Sequence, residues 1–279
     1  MKNILVPCDF SQQSRGAFQA AIEIASRSKG KITLLHVLYL PALYNASLAG
    51  EPLSIDPLYM NTMEEDAEKE LDKMKEEAMA HSVETDTEVV FGEMISSIKR
   101  IIETNDIDLI IMGTSGASGM SEIFIGSNTE KVVRYSSVPV LALRNPIRIS
   151  AIRNILLPST LDLDQMNFIK KVKDLQTFFD ATLHILLINT PTNFRRDLEA
   201  EEALEEFANH YSLRNYKTYF RNYWHEDDGI IDFAQNEKMD MIAMATHALK
   251  GLGHLFTGST TEDVVNHIHI PVWSYSLRK

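Results

Sequence analysis

The chain has 279 residues, 44% of them hydrophobic and 24% charged, which suits two ordinary globular domains and excludes a wholly disordered or fibrous chain. Lys and Arg total 27 against 39 Asp and Glu, a formal charge of -12 with no basic patch to offset it, so a nucleic-acid-binding role is set aside. Cys8 is the only cysteine, which removes any internal disulfide or Cys-Cys metal knuckle, and no run of about eighteen uncharged apolar residues offers a membrane span. Asp9 interrupts the first apolar run before a signal-peptide core could form, so the expected location is cytoplasmic.

From the start, short β-branched runs alternate with helical periods. Ile4 to Val6, Ile32 to Val37, Glu88 to Phe91, Leu109 to Met112 and Val138 to Leu143 have the length of buried parallel strands. Helical spacing covers Ser14 to Ser28, Met63 to His81, Met94 to Asn105 and Ser127 to Tyr135. In the acidic run after Met63, the spacing turns Met63, Ala67, Leu71, Met74 and Ala78 inward and leaves the charges as a solvated face. This alternation predicts an α/β fold with a doubly wound parallel sheet, in which ligands bind beyond the carboxyl ends of the strands where the strand order reverses.

The chain then repeats itself. Asn3-Ile4-Leu5-Val6-Pro7 recurs as Asn154-Ile155-Leu156-Leu157-Pro158, and Leu109 to Val133 matches Met241 to Val265. The offset falls from 151 to 132 between these blocks, so the first copy carries 19 extra residues, assigned to Pro41 to Met60 and read as a long loop or lid. The boundary lies near Asn145 to Ser150, giving domains 1–146 and 151–279, with net charges of -8 up to Pro146 and -4 after it.

Two features separate the copies. After the strand ending at Met112, Gly113, Gly116 and Gly126-Ser127 form a Gly-x2-Gly-x9-Gly-Ser spacing. The glycines let backbone approach a ligand, and the helix start suits a phosphate. Ser127 with Glu130 is equally a capping box, as is Ser259 with Glu262, so the cap alone carries no ligand. The glycine pair is Ala245 and Ala248 in the second copy. Asp9, at the end of the first strand, is placed to meet a ribose hydroxyl, base or metal, or to order its own loop; Thr160 replaces it in the second copy.

On these residues, with the Val-Pro-x-Asp-x-Ser start and His36-Val37, the chain resembles a tandem universal stress protein over essentially its whole length, its first copy of the ATP-binding branch. The resemblance implies two five-stranded domains of strand order 3-2-1-4-5. It also implies a role as an ATP-binding stress-response regulator, with ATP held with or without Mg2+. It assigns adenosine to Pro7, Asp9, Val37 and Met112, and the phosphates to Gly113, Gly116, Gly126, Ser127, Asn128 and Thr129. The departures at Thr160, Ala245 and Ala248 predict a degenerate second site, its domain a structural partner. Apolar final strands around Pro139 and Pro271 would leave exposed edges, and family members dimerise through this strand, so the copies are expected to pack as a pseudo-dimer with Trp273 at the junction.

Other readings remain open at this stage. No P-loop lysine, nucleophile elbow or evident general base is present, so no catalytic residue is assigned, yet slow ATP hydrolysis or phosphorylation of a serine such as Ser127 is an alternative. A nucleotide-free interaction scaffold is another, and a homodimer and a signalling protein partner are left open. His267 and His269, read at strand spacing, could join His247 or His254 on a metal but fit loop or packing roles better, so no metal is assigned. Trp224 is read, with Trp273, as core or inter-domain packing.

Overall fold

The computed structural model describes residues 1–39, 57–114, 127–246 and 260–277. The first half runs β1 (Asn3–Pro7), α1 (Gln12–Ser28), β2 (Lys31–Leu38), α2 (Pro57–Ala80), β3 (Glu84–Phe91), α3 (Met94–Thr104), β4 (Leu109–Gly113), α4 (Ser127–Tyr135) and β5 (Val140–Leu143). A single 3-10 turn at Ile149–Ala151 leads into the second half: β6 (Asn154–Pro158), α5 (Met166–Phe179), β7 (Thr182–Asn189), α6 (Asp197–His210), β8 (Tyr216–Asn222), α7 (Glu226–Asn236), β9 (Met241–Thr246), α8 (Thr260–His267) and β10 (Val272–Ser276).

The strands form one ten-stranded sheet in the order β3-β2-β1-β4-β5-β10-β9-β6-β7-β8. Each half therefore has the order 3-2-1-4-5 counted from its own first strand. All neighbours are parallel except β5 and β10, which meet antiparallel with Leu141 opposite Trp273 and Ala142 opposite Val272. The pseudo-dimer expected from the apolar final strands is thus a continuous sheet, which closes both edges at once.

One face of this sheet carries a single core shared by the halves. Phe18 and Ile24 of α1, Leu71 and Met74 of α2, Phe168 and Phe179 of α5 and Phe207 of α6 all belong to it, together with Trp273. The other face carries two separate cores, one under α3 and α4 around Ile98, Ile101 and Val133, the other under α7 and α8 around Phe233 and Val264. Apolar burial in this shared core adds to the three register pairs of β5 and β10 in joining the copies. The linker adds to this. Pro146 packs where a side chain at Gly16 of α1 would point, and Glu23 accepts a hydrogen bond from Ser150 N at 3.3 Å.

The repeat reaches the backbone. Left-handed residues at Phe10, Lys29 and Asp106 recur at Leu161, Asp180 and Lys238, at the offsets read from the sequence. Asp108 accepts from Lys2 N at the start of β1, and Asp240 accepts from Arg153 N and Asn154 N at the start of β6. Features present in both copies build the fold; features present in one are candidates for its function.

Several boundaries move. The strand read at Glu88 to Phe91 begins at Glu84, and the one read at Val138 to Leu143 begins at Val140. Helix α2 begins at Pro57, not Met63, because Pro is well suited to a first helical turn, so the last four residues of the expected Pro41 to Met60 loop are helical. Residues 41–56 lie outside the described residues. Ala67, Leu71, Met74 and Ala78 are buried as the spacing predicts, with Met63 half-buried. Trp224 is 81% exposed, contrary to the packing role expected of it, because it lies between β8 and α7 rather than on either. Trp273 is 2% exposed and stacks with Phe168 at a centroid distance of 6.2 Å. No helix among the described residues is long and apolar enough to cross a membrane.

Candidate functional site

The chain reverses direction through the sheet between β1 and β4, whose following helices, α1 and α4, pack on opposite faces. At the carboxyl end of β1, Pro7 and Cys8 are buried and Asp9 is exposed. The Asp9 carboxylate accepts a hydrogen bond from Ser11 N at 3.0 Å, an Asx turn that leads into α1, and the Ser11 hydroxyl then caps α1 by accepting from Ser14 N at 3.2 Å. Asp9 is therefore at least a loop-ordering residue, exposed at the strand ends.

Phe10, held at φ 62°, stacks on His36 at the end of β2 with centroids 4.5 Å apart. His36 Nδ1 lies 2.7 Å from the Cys8 carbonyl, which can only accept, so Nδ1 carries the proton and the ring is fixed. Val37 follows, half-buried and opposite Val90 in the register. The Phe10–His36 wall belongs to the first copy alone, since the corresponding residues are Leu161 and Leu187. Nothing in the sequence marked Phe10, whose ring meets His36 only because of the left-handed turn.

On the other side of the switch, Met112 is 5% exposed and its side chain lies in the core with Leu5 and Leu35, so what it offers a ligand is main chain. Gly113 ends β4, and its carbonyl accepts from the Thr129 hydroxyl at 2.8 Å. That bond tethers the first turn of α4 to the end of β4. Thr261 makes the same bond to the Ala245 carbonyl at 3.1 Å, so the tether is a feature of the fold in both copies. Asn128 is exposed on the first turn, and Ser127 is the first residue of the helix. Gly116 and Gly126 lie outside the described residues, as do Ala248, Ser259 and the Ser127 side chain.

The one cysteine supplies no nucleophile. Burial raises the Cys8 thiol above its ordinary range, outweighing the hydrogen bond it shares with Ser14, so it stays protonated. The carboxylate of Glu93, which caps α3, is held below the usual range by its hydrogen bond to Ser96. The histidine reading changes as well: His267 closes helix α8 and His269 follows in a bend, so the two do not share an extended segment. His247 and His254 lie outside the described residues, and among the described ones no group of three His, Cys, Asp or Glu could hold a metal.

The model of the universal stress protein family matches this chain twice, over residues 1–144 and 151–275. The chain belongs to the universal stress protein family. A universal stress protein of Methanocaldococcus jannaschii is 30% identical over 145 residues, covering 52% of this chain and 83% of that protein. YxiE, a universal stress protein of Bacillus subtilis, is 30% identical over 144 residues, covering 50% of this chain and 97% of its own. Relatives of that kind match half of the chain, as a tandem member requires. The crystal structure of a universal stress protein from Archaeoglobus fulgidus has a TM-score of 0.77 at 19% identity and covers 98% of both chains, sharing the double fold as a whole. A second such structure, from Pseudomonas aeruginosa, has a TM-score of 0.70 at 18% identity, covering 99% of this chain and 93% of that one.

Proposed function

We propose that the N-terminal half of this universal stress protein binds ATP at the β1–β4 switch and that the chain acts as a nucleotide-dependent regulator in the stress response. The single observation that supports this best is the convergence of Asp9, exposed at the end of β1, with the first turn of α4, tied to the end of β4 by the Thr129–Gly113 bond. A carboxylate suits ribose hydroxyls, and free N–H groups at a helix start suit phosphate. The residues fit the group: Pro7, Asp9, Val37 and the main chain of Met112 would hold adenosine, with the Phe10–His36 stack as an apolar wall close by. Gly113, Gly116, Gly126, Ser127, Asn128 and Thr129 would line the phosphates, Thr129 through its main chain because its hydroxyl proton is committed to Gly113.

Bound ATP supplies a charge and length that ADP lacks, which is the difference a regulator reads. The second half lacks Asp9 and both glycines and acts in this reading as the structural partner that completes the sheet. Calorimetry of ATP on the intact chain, with and without Mg2+, tests the proposal. One site per chain is expected; two equivalent sites, or none, would overturn it.

A further inference from the structure

The carboxyl end of the second half's sheet opens into a cavity of about 480 Å3, within the size range of small-molecule sites. Its floor is apolar, built from Leu186 and Ile188 of β7, Met244 of β9, Ile230 of α7 and Phe168 of α5. Such a floor could be mere packing slack, and two polar groups argue otherwise.

Gln165 is only 8% exposed and lines the cavity, yet its side-chain amide has no hydrogen-bond partner among the described residues. Its main chain is fully used, the N–H donating to the Tyr211 hydroxyl at 2.9 Å and the carbonyl accepting from Ile169 N at 3.0 Å. The amide is not sealed from solvent, so it opens onto the cavity with its donor and acceptor available to a ligand. Arg195 is the second group. Asn189 clamps it to the rim from both sides, accepting from Arg195 N at 2.7 Å and donating to its carbonyl at 3.2 Å, while also donating to Asn222 at 2.8 Å. Arg195 is half-buried, lines the same cavity and makes no ion pair among the described residues.

The acids at the cavity limit what can enter. Glu226 is part of the lining and opens α7 together with Asp227 and Asp228, whereas α3, the counterpart of α7, has no acid in its first turn. Of these acids Glu226 lines the cavity and faces any anion that enters; a triphosphate would bring several negative charges against one arginine and this carboxylate, which is unfavourable, whereas a monoanion brings one.

We propose that this cavity is a second binding site, distinct from the nucleotide site of the first half, for a small amphipathic carboxylate. The apolar body lies against the Leu186–Met244 floor, and the carboxylate takes the Arg195 guanidinium and the Gln165 amide. The degenerate copy thus exchanges one ligand chemistry for another.

Fluorescence titration of the intact chain tests this with two probes, the anion 8-anilinonaphthalene-1-sulfonate and the neutral N-phenyl-1-naphthylamine. Both are expected to saturate at one site per chain, with decanoate displacing the anion and ATP leaving it bound. Thr160→Trp, which blocks the exposed rim without touching the core, should abolish binding of both probes. Arg195→Gln should weaken the anion by about tenfold and leave the neutral probe within about twofold. Displacement of the anion by ATP, unchanged binding in Thr160→Trp, or equal loss of both probes in Arg195→Gln would each overturn the assignment. The fold of each variant is checked by its thermal transition.

Discussion

A Cβ placed on Gly113 would lie 2.8 Å from the carbonyl carbon of Gln13, closer than side chains approach backbone in folded proteins. The glycine at the end of β4 is therefore required by the first turn of α1, before any ligand is considered. In the second half the equivalent residue is Ala245, and α5 starts at Met166, three residues later than alignment with Gln12 would place it. Gly113→Ala is expected to destabilise the nucleotide-free protein by roughly 1–3 kcal/mol, as overpacking does. Thermal melts without ATP read the difference. A variant as stable as the parent, impaired only in nucleotide affinity, would return Gly113 to a purely ligand-facing role.

The distinction between Gly113 and its neighbours shows what the sequence could and could not carry. Periodicity and the internal offset were enough for the alternation of strands and helices, the two copies and the core face of α2, because each depends on apolar spacing along the chain; the strand order and the pairing of the β5 and β10 edges came from the family resemblance. Gly113 and Gln13 are 100 positions apart, and only tertiary packing brings them together. Trp224 was misplaced for a related reason: a large aromatic ring is normally buried, but in a connection between elements no period fixes which way it faces. Gln165 carries no mark in the sequence at all, since an amide before a helix reads as an ordinary polar residue until its place on the cavity wall is seen.

The junction between the halves predicts the behaviour of the first half alone. Val140, Leu141, Ala142 and Leu143 are all buried in the intact chain, and β10 covers their outer edge. Residues 1–146 expressed alone should self-associate through that edge, because an apolar strand left unpaired is a template for pairing. Light scattering measures this directly, and a soluble monomer at high concentration would contradict it. In the intact chain, Trp224→Phe leaves Trp273 as the one tryptophan, whose blue-shifted and poorly quenched emission should persist until the junction opens.

His184 predicts a pH dependence of stability. Its Nε2 faces Asn154 Oδ1 at 3.1 Å, an orientation fixed by the Asn154 amide donating to Asp240, and its Nδ1 meets the Tyr219 hydroxyl at 3.1 Å. Burial, then the charge of Lys217, push its pKa below the ordinary value near 6.5. The unfolded chain thus takes up a proton at this position before the folded one does. Its contribution is intact above the unfolded value and is lost as pH falls from there through the folded value. Urea titrations between pH 7 and 5 should show stability falling more steeply for the parent than for His184→Gln. Parallel curves would mean that the ring titrates alike in both states.

Asp9 carries two roles that substitution can separate. Its carboxylate accepts from Ser11 N to shape the turn into α1, and in the proposed site it also receives ribose hydroxyls. Asp9→Asn keeps an amide oxygen for Ser11 but removes the charge and one acceptor. Asp9→Ala removes both. The Asn variant should hold its stability within about 0.5 kcal/mol, as surface changes usually do. The Ala variant should lose roughly 0.5–1.5 kcal/mol with the turn bond. ATP affinity should fall by about tenfold in Asp9→Asn despite its intact fold, since a hydrogen bond to a charged acceptor is roughly twice as strong as one to a neutral amide. If calorimetry found Asp9→Asn binding ATP as the parent does, and Asp9→Ala weakened only in step with its stability, Asp9 would be an element of the loop and the nucleotide would be held from the β4 side alone.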